Sequence, residues 1–225
     1  MRDLIERLRL SPGIKLCGPL VTPPSIRVPA DHVELLRFAN GVFANHGYCR
    51  LFGIAQVGCV DLAWWNEPET WKFAWPGRTA DYLAFGETAW GDQYAYSIDA
   101  LHENDASVFV LDAFEMQPER IAGSFTDFLA NEFLRQTLEP YDAMTNDAMN
   151  KVGQLSRDEH VTYVPSLLLG GEESIENVQK INARASMIIH GDIATQMAER
   201  PDCVPASVEP YTDERGRSRL RIHCC

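Results

Sequence analysis

The chain has 225 residues, 45% of them hydrophobic and 10% aromatic, and a formal net charge of −12. That length buries the core of one large domain, or of one domain with a substantial extension. No window approaches the about 20 apolar residues of a membrane span, so no membrane partner is expected, and the charge disfavours nucleic acid, whose phosphates require Lys and Arg.

Met1–Leu10 places Leu4, Ile5 and Leu8 at helical spacing and lacks the apolar stretch of a secretion signal. Pro19, Pro23, Pro24 and Pro29 make the next stretch extended. Asp31 with Glu34 reads as a capping box for a helix that carries Val33 and Leu36 and stops at Asn40-Gly41. Tyr48–Ile54 reads as a strand, and Leu62–Trp75 then holds four of the five tryptophans, at 64, 65, 71 and 75. Ala80–Leu111 reads as an antiparallel meander with strands at Tyr82–Phe85, Gln93–Ile98 and Val108–Leu111. Gly86 and Gly91 are its turn formers, and Tyr94, Tyr96 and Ile98 form its packing face.

Ser124 is placed to cap a helix with Phe125, Phe128, Leu129 and Phe133 on one side. Leu138–Val152 is a polar connection, partly helical. Val161–Leu169 is an apolar run interrupted by Pro165 and closed by Gly170-Gly171. Ser174 then caps a long helix over Ile175–Met197, on which Val178, Ile181, Ala185 and Ile188 make an apolar stripe, and Arg219–His223 is a last strand. The organisation expected is an N-terminal helix and extended arm over 1–24, an α+β domain over 25–140, and a C-terminal extension over 141–225 packed on it, since no Gly/Ser linker intervenes.

The charge is uneven: +3 over residues 1–30, −11 over 31–140, −4 over 141–200 and 0 over 201–225. An acidic middle favours encounter with a basic partner through long-range steering, and it equally serves ordinary solubility. The six cysteines, at 17, 49, 59, 203, 224 and 225, form no CxxC and no zinc spacing. They are expected to be reduced thiols of a cytoplasmic protein, with the Cys224-Cys225 pair incidental. No phosphate-binding glycine motif, nucleophile elbow or HExxH is present, and Glu172 and Glu173 after Gly170-Gly171 would repel phosphate. His190-Gly191-Asp192 falls inside the helical pattern, where residues two apart point in different directions, so no metal and no cofactor is expected. The tryptophan stretch reads as core and lid over the sheet, or as a set of aromatic anchors for a protein partner.

The helix end "ELLRFANG", the strand "YCRLFGI", the tryptophan insert, then "DYLAFGETAWGDQYAYSID", "SVFVLDAF" and "IAGSFTDFLANEFL" follow an order that resembles the SUKH superfamily of cell-wall regulators and bacterial immunity proteins. Asn40, Gly41, Gly53, Phe85, Gly86, Gly91, Tyr94, Tyr96, Phe125 and Phe128 carry the match over residues 25–140. "YVPSLLLGGEESIENVQKINARASMII" is similar to a C-terminal segment of type VI secretion immunity proteins. The resemblance implies a non-enzymatic α+β fold, a mixed or antiparallel sheet with flanking helices and a C-terminal helical and strand extension, that neutralises a toxin such as a nuclease or secreted effector. The expected partner-binding residues are Trp64, Trp65, Glu67, Glu69 and Trp71 in the insert, with Glu87, Asp92 and Asp99 near the meander. The alternatives are a regulatory scaffold of the cell-wall-regulator type and a small-molecule enzyme with an unrecognised pocket.

Overall fold

Short apolar segments separated by turn residues favour pairing between neighbours in sequence, and the computed structural model, which describes residues 1–24, 26–55, 58–138 and 143–225, shows that arrangement. Helix α1 (Arg2–Leu10) buries Leu4 and Leu8; β1 (Lys15–Leu16), α2 (Ala30–Phe38), β2 (Val42–Ala44) and β3 (Cys49–Leu51) follow. Next come α3 (Leu62–Trp65), β4 (Tyr82–Thr88), β5 (Gln93–Ser97), α4 (Ile98–His102), β6 (Val108–Leu111) and β7 (Pro118–Ala122). The seven strands form one antiparallel sheet in sequence order. Ser124 accepts from the Asp127 amide and caps α5 (Phe125–Phe128), which runs on through a π turn at Leu129–Phe133 into α6 (Leu134–Leu138). Residues 139–142, inside the connection expected to be partly helical and at the boundary placed between the two segments, lie outside the described residues.

The C-terminal part adds α7 (Ala143–Val152), a hairpin of β8 (Glu159–Tyr163) and β9 (Val178–Asn182), α8 (Ala183–Glu199), and a second hairpin of β10 (Pro205–Thr212) and β11 (Ser218–Cys224). Met187 and Ile188 of α8 enter the main core, while Val161, Tyr163 and Val178 share a smaller core with Tyr48 and Ala89. The Trp75 indole N–H donates to the Met187 carbonyl at 2.9 Å, and Arg184 Nε to the Thr70 carbonyl at 2.6 Å.

The sheet is covered on both faces, which is why β4 is buried along nearly its whole length. On one face Phe85 stacks on Tyr96 at 4.3 Å and meets Phe125 and Phe128 edge-on, while His32 of α2 stacks on Phe125 at 4.2 Å. A bulge at Phe85 shifts the alternation of β4: Ala84 opposes Ala95, but Gly86 opposes Tyr94 and Glu87 opposes Gln93. Glu87 therefore falls on the other face from Phe85, under the C-terminal segment.

Several expectations are corrected. Val178 and Ile181 lie on β9, and the helix begins only at Ala183, where Asn182 rather than Ser174 is the cap. The spacing of the four apolar residues fits a helix, but pairing with β8 takes the first two. Asp31 does not cap α2; its Oδ2 accepts from the amide and hydroxyl of Thr126 and ties α2 to α5. Gly91 does form a turn, at φ +105°, whereas Gly86 lies within β4, where a Cβ would stand 2.6 Å from the Arg50 carbonyl. Cys203 and Cys224 form a disulfide, against the expectation of reduced thiols, and Cys224 is thereby a structural residue rather than an incidental one.

Two outcomes follow from this core. Alkylation of denatured, unreduced protein should label four cysteines, 17, 49, 59 and 225, and reduction should add two more, read as mass increments. Burial lowers the His32 imidazole from 6.5 to about 3 and that of His190 to about 4, so the unfolded chain takes up protons that the folded chain refuses. Stability is complete above pH 6.5 and falls as the pH drops toward 4 and then 3, with His32 contributing on the order of 4 kcal/mol across that range. Urea midpoints measured from pH 7 to 3.5 should show this slope, and His32→Gln should flatten it.

Candidate functional site

The polar groups of the C-terminal-facing side of the sheet lie on one rung. Arg50 on β3, Glu87 on β4 and Gln93 on β5 stand directly opposite one another. Arg50 Nη2 lies 3.1 Å from Glu87 Oε1 with both side chains buried, and His160 Nε2 of β8 lies 3.1 Å from Glu87 Oε2. The Arg50 guanidinium also donates to the carbonyls of Ser156, Arg157 and Glu159 at 2.8–2.9 Å. Gln93 donates to the Gly91 carbonyl and accepts from the Trp65 indole N–H at 2.7 Å. Burial pushes the Glu87 carboxyl up, but the adjacent Arg50 and His160 outweigh it and hold the group below the ordinary range.

Beside this rung, where the β4–β5 turn and the segment after β6 meet the C-terminal part, lies a cavity of about 320 Å³. Trp90 and Tyr163, stacked at 5.1 Å and 17° apart in plane, form an aromatic wall. Its polar lining includes Asp92, Thr162, Glu173 and His190. Asp92 accepts from the Thr88 hydroxyl at 2.7 Å and the Ala113 amide at 2.9 Å; burial raises its pKa. His190 Nε2 lies 3.1 Å from the Thr162 hydroxyl.

The expected partner-binding residues separate by burial. Trp65 and Trp71 are fully inside: the Trp71 indole N–H donates to the Trp65 carbonyl, and both rings pack in the core. Glu87 is buried in the ion-pair rung and Asp92 is half-buried at the cavity. Trp64, 42% exposed, lies on the surface with Glu67, Glu69 and Asp99. Glu69 is engaged by Arg215 and Arg217 of the β10–β11 turn at 3.2 Å each. Asp192 is buried and accepts from Arg219 Nε at 2.7 Å and the Leu220 amide at 2.7 Å, which fastens the last hairpin to α8. His190 and Asp192 thus face different neighbours, and among the described residues no His, Cys, Asp and Glu cluster of metal-binding form occurs.

Arg50, Gln93, His160 and His190 were not among the residues expected at a site. Arg50 and Glu87 are 37 positions apart and pair through strand register, which no local motif displays.

Two family models match parts of the chain. Residues 25–131 match the SMI1/KNR4 family (SUKH-1). The SUKH-like segment ends within β7–α6, and residues 122–198 match the C-terminal model of the T6SS immunity protein Tdi1. No curated protein matches the sequence. Among solved structures, that of Atu4351 from Agrobacterium tumefaciens is similar, with a TM-score of 0.52 and 15% identity over 92% of this chain and 94% of that chain. At that identity the likeness shows the fold alone, an α+β fold extending beyond the SUKH-like segment into the C-terminal part. No described helix is long and apolar enough to cross a membrane.

The ion-pair rung predicts a stability effect. Arg50→Met leaves Glu87 buried without its cation and should cost about 3–5 kcal/mol in urea unfolding. Adding Glu87→Met should return part of that loss, so the double variant is less unstable than the two single losses combined.

Proposed function

We propose that this chain is an immunity protein that binds one cognate toxin stoichiometrically and blocks its active site or substrate path. The observation that carries the reading is the succession of two family matches on one continuous fold, SUKH-1 over 25–131 and the Tdi1 C-terminal model over 122–198. The net charge of −12 supports a toxin with a basic cleft, such as a nuclease, because opposite charge speeds association. Much of the chain's conspicuous polar chemistry is engaged internally: Glu87 by Arg50 and His160, Asp192 by Arg219, and Glu69 by two arginines. Trp64, Glu67 and Asp99 are left facing solvent, and Trp64 with Glu67 one turn on supplies an aromatic anchor beside an acid.

The cavity is the feature an enzymatic reading would use, yet it supports that reading poorly. The Thr162 hydroxyl meets an imidazole whose pKa burial lowers to about 4, too low for a good base at neutral pH. Its Nδ1 has no hydrogen-bond partner to orient the ring.

The test is co-expression with each toxin candidate encoded beside its gene. One should be neutralised in a viability assay and should co-purify as a one-to-one complex. Trp64→Ala combined with Glu67→Lys should weaken that complex about tenfold or more, read by calorimetry. If no neighbouring toxin is bound or neutralised, the reading fails.

A further inference from the structure

The cavity beside the buried rung has a composition that selects its occupant. Its wall is aromatic and aliphatic, from Trp90, Tyr163, Met144 and Leu167; among the described residues its acids are Asp92 and Glu173, and no lysine or arginine lines it. At about 320 Å³ it stands at the small end of ligand pockets, about 300–1,000 Å³. It opens to solvent at Glu173, which is exposed, and at Phe114, which is 44% exposed.

One buried atom here lacks a partner. His190 Nδ1 is out of solvent and makes no hydrogen bond, an arrangement that costs stability unless something fills it. The Thr162 hydroxyl is directed at the Tyr163 carbonyl, at 3.5 Å. His190 Nε2 shares one hydrogen bond with the Thr162 hydroxyl at 3.1 Å, and the ring is neutral at pH 7. Two carboxylates and an aromatic wall, with no lysine or arginine among the described lining residues, form a receptor for a flat, multiply donating cation on an apolar stem.

We propose that this cavity receives an arginine side chain of the partner protein, its guanidinium facing Asp92 and Glu173 and its stem lying along Trp90 and Tyr163. Arginine fits better than lysine because its planar fork donates to several acceptors at once and stacks on aromatic rings. That the arginine belongs to a toxin rests on the immunity reading; the chemistry of the pocket does not. The cavity is formed jointly by the β4–β5 turn and the C-terminal part, so a partner seated there would contact both matched segments.

The test has two arms. In the first, the full chain is titrated with N-acetyl-argininamide and with its neutral isostere N-acetyl-citrullinamide, followed by NMR of the indole N–H and imidazole signals. The expected result is millimolar binding of the arginine probe alone, shifting Trp90 and His190, and at least a fivefold loss in Glu173→Lys and in Phe114→Ala. Both changes are at exposed positions and leave the core intact. Equal responses to both probes, or none, overturn the proposal. In the second arm, a toxin complex that forms with unchanged affinity in Glu173→Lys also overturns it, while a tenfold loss supports it. Absence of any toxin complex instead strikes the immunity reading, and the first arm still decides the pocket.

Discussion

The structure depends on how a buried carboxylate is neutralised. Glu87 lies on the middle strand of the sheet with no access to water, and an uncompensated charge there would cost several kcal/mol. Arg50 on the adjacent strand supplies the cation, and His160 reaches it from β8. Arg50 in turn donates from its two Nη groups to three carbonyls of residues 156–159. The sheet therefore carries a polar rung that only the C-terminal part completes, and that part gains backbone partners only the sheet provides. Gly86 belongs to the same constraint, since it lets β3 and β4 approach at the Arg50 carbonyl.

This coupling shapes what the surface can offer. The tryptophan insert follows the same logic as the rung: Trp65, Trp71 and Trp75 each bury their rings while their indole N–H groups find a partner in Gln93 or a backbone carbonyl. Aromatic residues that could have been anchors are thus consumed as mortar between the sheet and α8. Trp64 alone of that stretch keeps an exposed face, while Trp90 turns toward the cavity and donates to Thr145. The last hairpin is held by Asp192 and by Glu69, so two acids that would otherwise add to the external field are offset locally by arginines.

Much of the sheet was legible. The meander strands, the stop of α2 at Asn40-Gly41, the Ser124 cap and the final strand follow from turn chemistry, capping and period-two patterning, all of which act within a few residues. The edge strands β1 and β7 were missed because each is short and its pattern weak. Residues 175–182 were misread because a five-residue strand and the first turns of a helix can place apolar residues at the same intervals. The disulfide went unread because residues 21 apart approach only through the β10–β11 hairpin.

The sequence by itself determined the antiparallel meander, the helix capped by Ser124 and the family match of residues 25–131, since these rest on local periodicity and on motifs that lie in order along the chain. Only the tertiary structure decided which acids are exposed and which are buried. Glu67 and Glu87 are both carboxylates in acidic surroundings, yet one faces solvent and the other lies in the core. The bulge at Phe85 turns Glu87 inward, and strand register places Arg50 opposite it. Register is a property of paired strands, so no single stretch of the chain contains it.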